Sequence, residues 1–111
     1  MVVDADKDLR FLFVRKLVRE FPGCTVMETE DPEDALRRVK LQEYDAIFVH
    51  RAIGADAVTV IRNIREERPS VQLIAVSTID RSAEVLAAGA NAFYDFDQWH
   101  LIGPKLAAVL C

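Results

Sequence analysis

The strongest constraint on this chain is the way short apolar runs alternate with helical patterns. Asp45-Ala46-Ile47-Phe48-Val49-His50 is almost continuously apolar, as is Val71-Gln72-Leu73-Ile74-Ala75-Val76-Ser77. A half-solvated strand alternates apolar and polar residues, whereas an unbroken run fits a strand covered on both faces. Val2-Val3, Thr25–Glu28 and Ala92–Asp95 read as further strands. Between them lie helical stretches. Asp8 to Phe21 carries Val14, Leu17, Val18 and Phe21 at i, i+3, i+4, i+7 spacing and stops at Pro22-Gly23. Asp31-Pro32-Glu33-Asp34 supplies an N-cap, a proline for the first helical position and acids for the positive end of the dipole. That helix carries Ala35, Leu36, Val39 and Leu41 to about Gln42. A third helix is expected over 56–67 and a fourth over 82–88, closed by Gly89 at C′. A last one holds Leu106, Val109 and Leu110, starting near 101–103 or bent at Gly103-Pro104.

Strands alternating with helices mean parallel pairing through right-handed crossovers. The expected fold is α/β: a three-layer (βα)5 sandwich around a doubly wound, five-stranded parallel sheet of flavodoxin-like type, one domain over residues 1–111. A chain of 111 residues buries roughly two-thirds of its unfolded surface, so it needs no metal or disulfide to fold. With 18 acidic against 14 basic residues it has a net charge of −4, which argues against direct nucleic-acid binding. No apolar run approaches the ~18–20 residues that cross a bilayer, and no signal-peptide pattern opens the chain. Cys24 and Cys111 are too few for a disulfide framework and have no partners at metal-ligand spacing. A cytoplasmic protein with no membrane contact is expected.

In an open α/β sheet the functional crevice lies beyond the carboxyl ends of the strands. Those ends deliver Asp4, with Asp6 in the loop after it; His50, then Arg51; Ser77 and Thr78; and Asp95 and Phe96. At these positions the sequence resembles the receiver domains of two-component response regulators, along essentially its whole length. Val2-Val3-Asp4-Ala5-Asp6, Tyr44-Asp45-Ala46-Ile47-Phe48-Val49, Leu73-Ile74-Ala75-Val76-Ser77 and Gly89-Ala90-Asn91-Ala92-Phe93 carry the resemblance in order and spacing. It implies a phosphoryl switch. An aspartate ending the third strand takes a phosphoryl group from a kinase phosphohistidine, and paired acids after the first strand hold Mg²⁺. A Ser/Thr and a Lys ending the fourth and fifth strands bind the phosphoryl oxygens.

The departures fall on the chemistry. The phosphoacceptor position holds His50, which also removes a carboxylate oxygen from the metal site; the lysine position holds Phe96, followed by Asp97 instead of proline. Asp4 is followed by Ala5, leaving Asp4 and Asp6 as a residual acidic pocket. A one-residue insertion would let Asp6 replace the missing acid, and the Val14, Leu17, Val18, Phe21 stripe favours that register. The loop after His50 lacks the usual proline and has Ala57 near an expected glycine. Ser77 alone keeps its position, as the residual phosphate-contact hydroxyl, and Phe93 matches the aromatic whose rotamer reports activation.

The expectation is a degenerate pseudo-receiver, not an enzyme, signalling by protein–protein contact without Asp phosphorylation. Its partner is a signalling protein or an attached output domain, reached through the last two helices and the fifth strand, the same surface serving for a homodimer. Trp99 and Tyr94 belong to that region as interface aromatics. No cofactor is expected beyond residual Mg²⁺ at Asp4 and Asp6. His50 is expected to fill the acceptor's pocket, paired with Asp4 or Asp6, with a transition-metal site and a pH-sensing imidazole as alternatives. Asp6 or Asp8 is available to cap the first helix. Arg10, Arg15, Lys16 and Arg19, and Arg37-Arg38-Lys40, read as solvated faces, and Leu12 falls on the polar side of the first helix. The rival functions are a phosphorelay receiver with an atypical acceptor and a small-ligand or metal-binding module using His50 with Asp4 and Asp6. No nucleophile–base pair, G-x-G-x-x-G or P-loop supports a metabolic enzyme.

Overall fold

A computed structural model of the chain describes residues 1–50, 56–77 and 80–95. Its elements are β1 (Val2–Val3), α1 (Lys7–Glu20), β2 (Glu28–Thr29), α2 (Pro32–Leu41), β3 (Ala46–Val49), α3 (Ala57–Glu67), β4 (Gln72–Ser77), α4 (Ser82–Ala88) and β5 (Ala92–Asp95). The strands form one parallel sheet in the order β2-β1-β3-β4-β5. The expected last helix, Phe96, Trp99, Gly54 and Cys111 lie outside the described residues.

Two apolar layers clamp the sheet. On one face Val3, Ile47, Val49, Leu73 and Ala75 meet Ala35 and Val39 of α2, Val60, Ile61 and Ile64 of α3, and Val85 of α4. On the other, Val2, Phe48, Ile74 and Val76 meet Phe13, Leu17 and Phe21, from α1 and its C-cap. Successive strand residues point to opposite faces, which is why continuous apolar runs are required. Phe13 and Phe48 meet edge to face, their centroids 5.2 Å apart.

The helix boundaries follow local chemistry. Asp31 caps α2 through the Glu33 amide, with Pro32 in the first turn, and Asp56 caps α3 through the Thr59 amide. Gly89 ends α4 with a φ of 121°. An added Cβ there would come within 2.8 Å of the Arg65 side chain, so both backbone geometry and space select glycine.

Three expectations shift. The second strand is Glu28–Thr29 rather than 25–28, because its ladder is set by β1: Val2 faces Glu28 and Val3 faces Thr29. The buried stripe of α1 is Phe13, Leu17 and Phe21, backed by Leu9 and Val14, whereas Val18 is 47% exposed. The wheel is therefore rotated from the Val14, Leu17, Val18, Phe21 reading, and Leu12 faces solvent. Leu41, expected on the packed face of α2, is exposed beyond Ala35 and Val39.

Candidate functional site

The strand order reverses between β1 and β3: α1 leads from β1 outward to β2, and α3 leads from β3 the other way to β4. Such a switch point opens the crevice at the carboxyl ends of the two central strands. Val3 is paired with Val49, so the residues that follow, Asp4 and His50, emerge side by side. The Asp4 amide donates to the Thr29 carbonyl and the His50 amide to the Val3 carbonyl, which fixes both backbones.

The side chains then meet. His50 Nδ1 lies 2.9 Å from Asp4 Oδ2, and the Asp6 amide donates to Asp4 Oδ1 at 2.9 Å. Asp4 is only 1% exposed, so burial of its carboxylate is tolerable only because both oxygens are hydrogen-bonded. The His50 side chain is also largely buried. Val2, Phe13, Phe48 and Val76 complete a cavity around the pair of about 10 Å³, roughly the least that admits one water.

Asp6 does a different job. Its Oδ1 accepts from the amides of Asp8 and Leu9, making it the N-cap of α1. Of the two residues open to that role in the sequence, Asp6 takes it. Among the described residues, no three His, Cys, Asp or Glu side chains are grouped to hold a metal ion. With Asp4 bonded through both oxygens and Asp6 turned to the helix, the donor set does not fit the Mg²⁺ site that the receiver resemblance implies.

Arg10 is the residue that sequence reasoning misplaced. Expected on a solvated face, it turns inward: Nη1 donates to the Asp4 carbonyl at 2.6 Å, Nε lies 3.3 Å from Glu28 and Nη1 lies 3.7 Å from Glu30. A guanidinium thus joins the end of β1 to β2 and the residue that follows it, bringing positive charge to an acidic edge. Its position one turn beyond Asp6 was the only available signal.

The other candidates spread along the same edge. Ser77 ends β4 and pairs in register with Asp95 of β5. Phe93 is half-buried against the α2–α4 side of the sheet. Tyr94, expected in an exposed interface, packs instead against the α1 side with Ile74 and Val76, as alternation along β5 requires. A larger cavity of about 420 Å³, lined by Met1, Leu17, Phe21, Cys24, Tyr44 and Phe48 among others, lies at the opposite, amino-terminal edge, away from these residues.

No family model and no curated relative matches the chain. Solved structures do. The receiver domain of NtrX from Brucella abortus superposes with a TM-score of 0.79 at 20% identity, over 94% of this chain and 93% of that one. The receiver domain of the sensor histidine kinase PA1611 from Pseudomonas aeruginosa, with magnesium in its active-site cleft, gives 0.78 at 23% identity, over 94% and 92%. That of the histidine kinase CKI1 from Arabidopsis thaliana, complexed with Mg²⁺ and BeF₃⁻, gives 0.81 at 23% identity, over 97% and 86%. At such identities the likeness speaks for architecture. Together with the 2-1-3-4-5 parallel sheet, it establishes that this chain has the receiver-domain fold.

Proposed function

We propose that the chain is a single receiver-like signalling domain whose output does not depend on phosphorylation of an aspartate. The observation that carries this reading is the Asp4–His50 pair. Where the fold offers a nucleophilic carboxylate beside a metal-binding one, this chain has an imidazole hydrogen-bonded to a buried carboxylate, in a cavity of about 10 Å³. A phosphoryl group brings negative charge and needs a divalent ion or fixed cations to receive it. Asp6, occupied as a helix cap, supports the same reading, and Phe96 stands at the sequence position where receivers carry lysine.

Signalling then passes through surface contact with a partner protein or output domain. α4 and β5 are the described part of the expected contact face, and Leu86 on α4 is an exposed apolar anchor there. No helix among the described residues is long and apolar enough to cross a membrane.

The test is to add acetyl phosphate, or beryllofluoride, with Mg²⁺ and follow the amide resonances of Ser77 and its neighbours. No saturable shift is expected, and mass spectrometry under non-acidic conditions should find no phosphoryl adduct. A specific, saturable shift at Ser77 would overturn the proposal, as would an adduct on His50 or a neighbouring aspartate.

A further inference from the structure

The cavity of about 420 Å³ at the amino-terminal edge lies in line with the central strand β1. Met1 lines its inner end, residues 25–27 its β2 side and residues 44–46 its β3 side. The register explains why these stretches flank a cleft. Val2 is paired with Glu28 and with Phe48, so below the level of Met1 the sheet sets Val26 across from Ala46 and Thr25 across from Asp45. Backbone groups alternate sides along an extended chain. The Val2 amide donates to the Met27 carbonyl, the Phe48 amide to the Met1 carbonyl, and the Met1 amino group to the Ala46 carbonyl at 2.9 Å. The same alternation turns the Met27 amide, the Thr25 carbonyl and the Ala46 amide toward the cleft. Among the described residues no backbone group pairs with any of these three. Ala46 is buried, and a buried N–H without a partner costs about as much as a lost hydrogen bond. Tyr44, which lines the same cavity, has its hydroxyl buried with no hydrogen-bond partner among the described residues.

We infer that this cleft binds the extended carboxyl-terminal tail of another protein, as a strand in line with β1 and parallel to β2 and β3. Strand addition draws affinity from main-chain hydrogen bonds and specificity from pockets for alternate side chains. The last residue of the tail lies between Val26 and Ala46. Its N–H donates to the Thr25 carbonyl and its carboxylate accepts from the Met27 amide, while the carbonyl of the residue before it accepts from the Ala46 amide. Two amide donors at the inner end suit a terminal carboxylate, which sets the direction of the tail, and Met1 requires it to end there. The side chains follow from alternation. Met1 belongs to the α2–α3 layer and Val2 to the α1 layer. The last residue of the tail therefore faces the α1 layer, where Leu17, Phe21 and Phe48 line the cavity, and is apolar. The residue before it faces the layer against which Tyr44 packs, and a hydroxyl or amide there gives the Tyr44 hydroxyl its partner. The cleft lies at the opposite edge of the sheet from Asp4 and His50, and the inference holds whether or not that site accepts a phosphoryl group.

The experiment titrates the isotopically labelled chain with the peptide acetyl-Lys-Lys-Thr-Leu, carrying a free carboxylate, and with the same peptide methylated on the leucine nitrogen. The methyl group leaves the apolar side chain in place and removes the N–H that pairs with the Thr25 carbonyl. The first peptide should give saturable shifts centred on the Met27 and Ala46 amides and bind at least about tenfold tighter than the second. A chain extended by Lys-Thr-Leu ahead of Met1 should seat those residues in the cleft itself. Its Met27 and Ala46 amides should exchange more slowly than in the parent, and it should no longer bind the peptide. Equal binding of the two peptides, shifts centred on Ser77, or no saturable shift would each overturn the inference. So would undiminished peptide binding by the extended chain, or Met27 and Ala46 amides already protected from exchange in the parent. Concentration-dependent shifts at these amides without peptide would assign the cleft to a second copy and overturn it as well.

Discussion

The two ends of the sheet handle buried polarity in opposite ways. At the amino-terminal end one arginine serves many backbone carbonyls. Arg65 donates to Gly89, Arg68, Pro69 and Val71 carbonyls and to the Asn91 side chain, while Asn91 Oδ1 also accepts from the Leu73 amide. This tie holds the end of α3, the entry to β4 and the α4–β5 turn in one place. At the carboxyl-terminal end a single carboxylate and a single imidazole bond to each other. The first arrangement is what a purely structural network looks like. The second occupies the crevice where the fold places chemistry, yet both Asp4 oxygens and one imidazole nitrogen of His50 are bonded within the protein. The comparison teaches that the same rule, that buried polar groups find partners, governs a structural tie and the crevice alike.

The comparison can be broken by substitution. Arg65→Ala should have the largest effect, about 3 kcal/mol in urea unfolding, because it strands several partly buried carbonyls at once. His50→Ala should follow at about 2 kcal/mol, since it leaves the Asp4 carboxylate buried with one fewer partner. If His50→Ala were neutral or stabilising, the pair would be a strained functional device rather than a structural one. Asp at position 50 sharpens the point: His50→Asp should lower the melting temperature without Mg²⁺ and regain part of it when Mg²⁺ is added, a response absent from the parent chain. Gly89→Ala should cost about 1–2 kcal/mol through its positive φ and the crowding on Arg65.

The smallest effect is Asp56→Ala, at about 1 kcal/mol or less for loss of an exposed cap. The Thr59 amide and side chain hold the Asp56 carboxyl below its ordinary value of 3.8. A group with a depressed folded value stabilises above the unfolded pKa and loses that contribution as the pH falls through the folded one. The difference between parent and Asp56→Ala should therefore be constant near neutrality and shrink below about pH 4.

Most of the architecture was legible because it rests on local chemistry. The cap at Asp31, the stop at Gly89 and the apolar strands β3 and β4 are each written within a few residues. Where partners lie far away in sequence, the reading slipped. The position of β2 depends on β1, and the buried side of α1 depends on which turn meets Phe48. Both Phe13 and Val18 were apolar enough to face inward, and only the sheet decides between them. The meeting of Asp4 and His50 was deducible from topology, since any 2-1-3 order brings those strand ends together. The inward turn of Arg10 was not, because an arginine on a helix with acids nearby usually remains in water.

The brevity of β1 has a consequence for how the molecule opens. Its two residues join β2 on one side to β3 on the other, across 46 positions of chain from Val3 to Val49. β3 and β4, by contrast, share four paired positions deep in the sheet. Amide exchange should therefore be slowest in β3 and β4 and fastest in β2, whose protection hangs on a two-residue seam. The first third of the chain would detach as a unit, carrying Asp4 away from His50, before the rest of the sheet loosens.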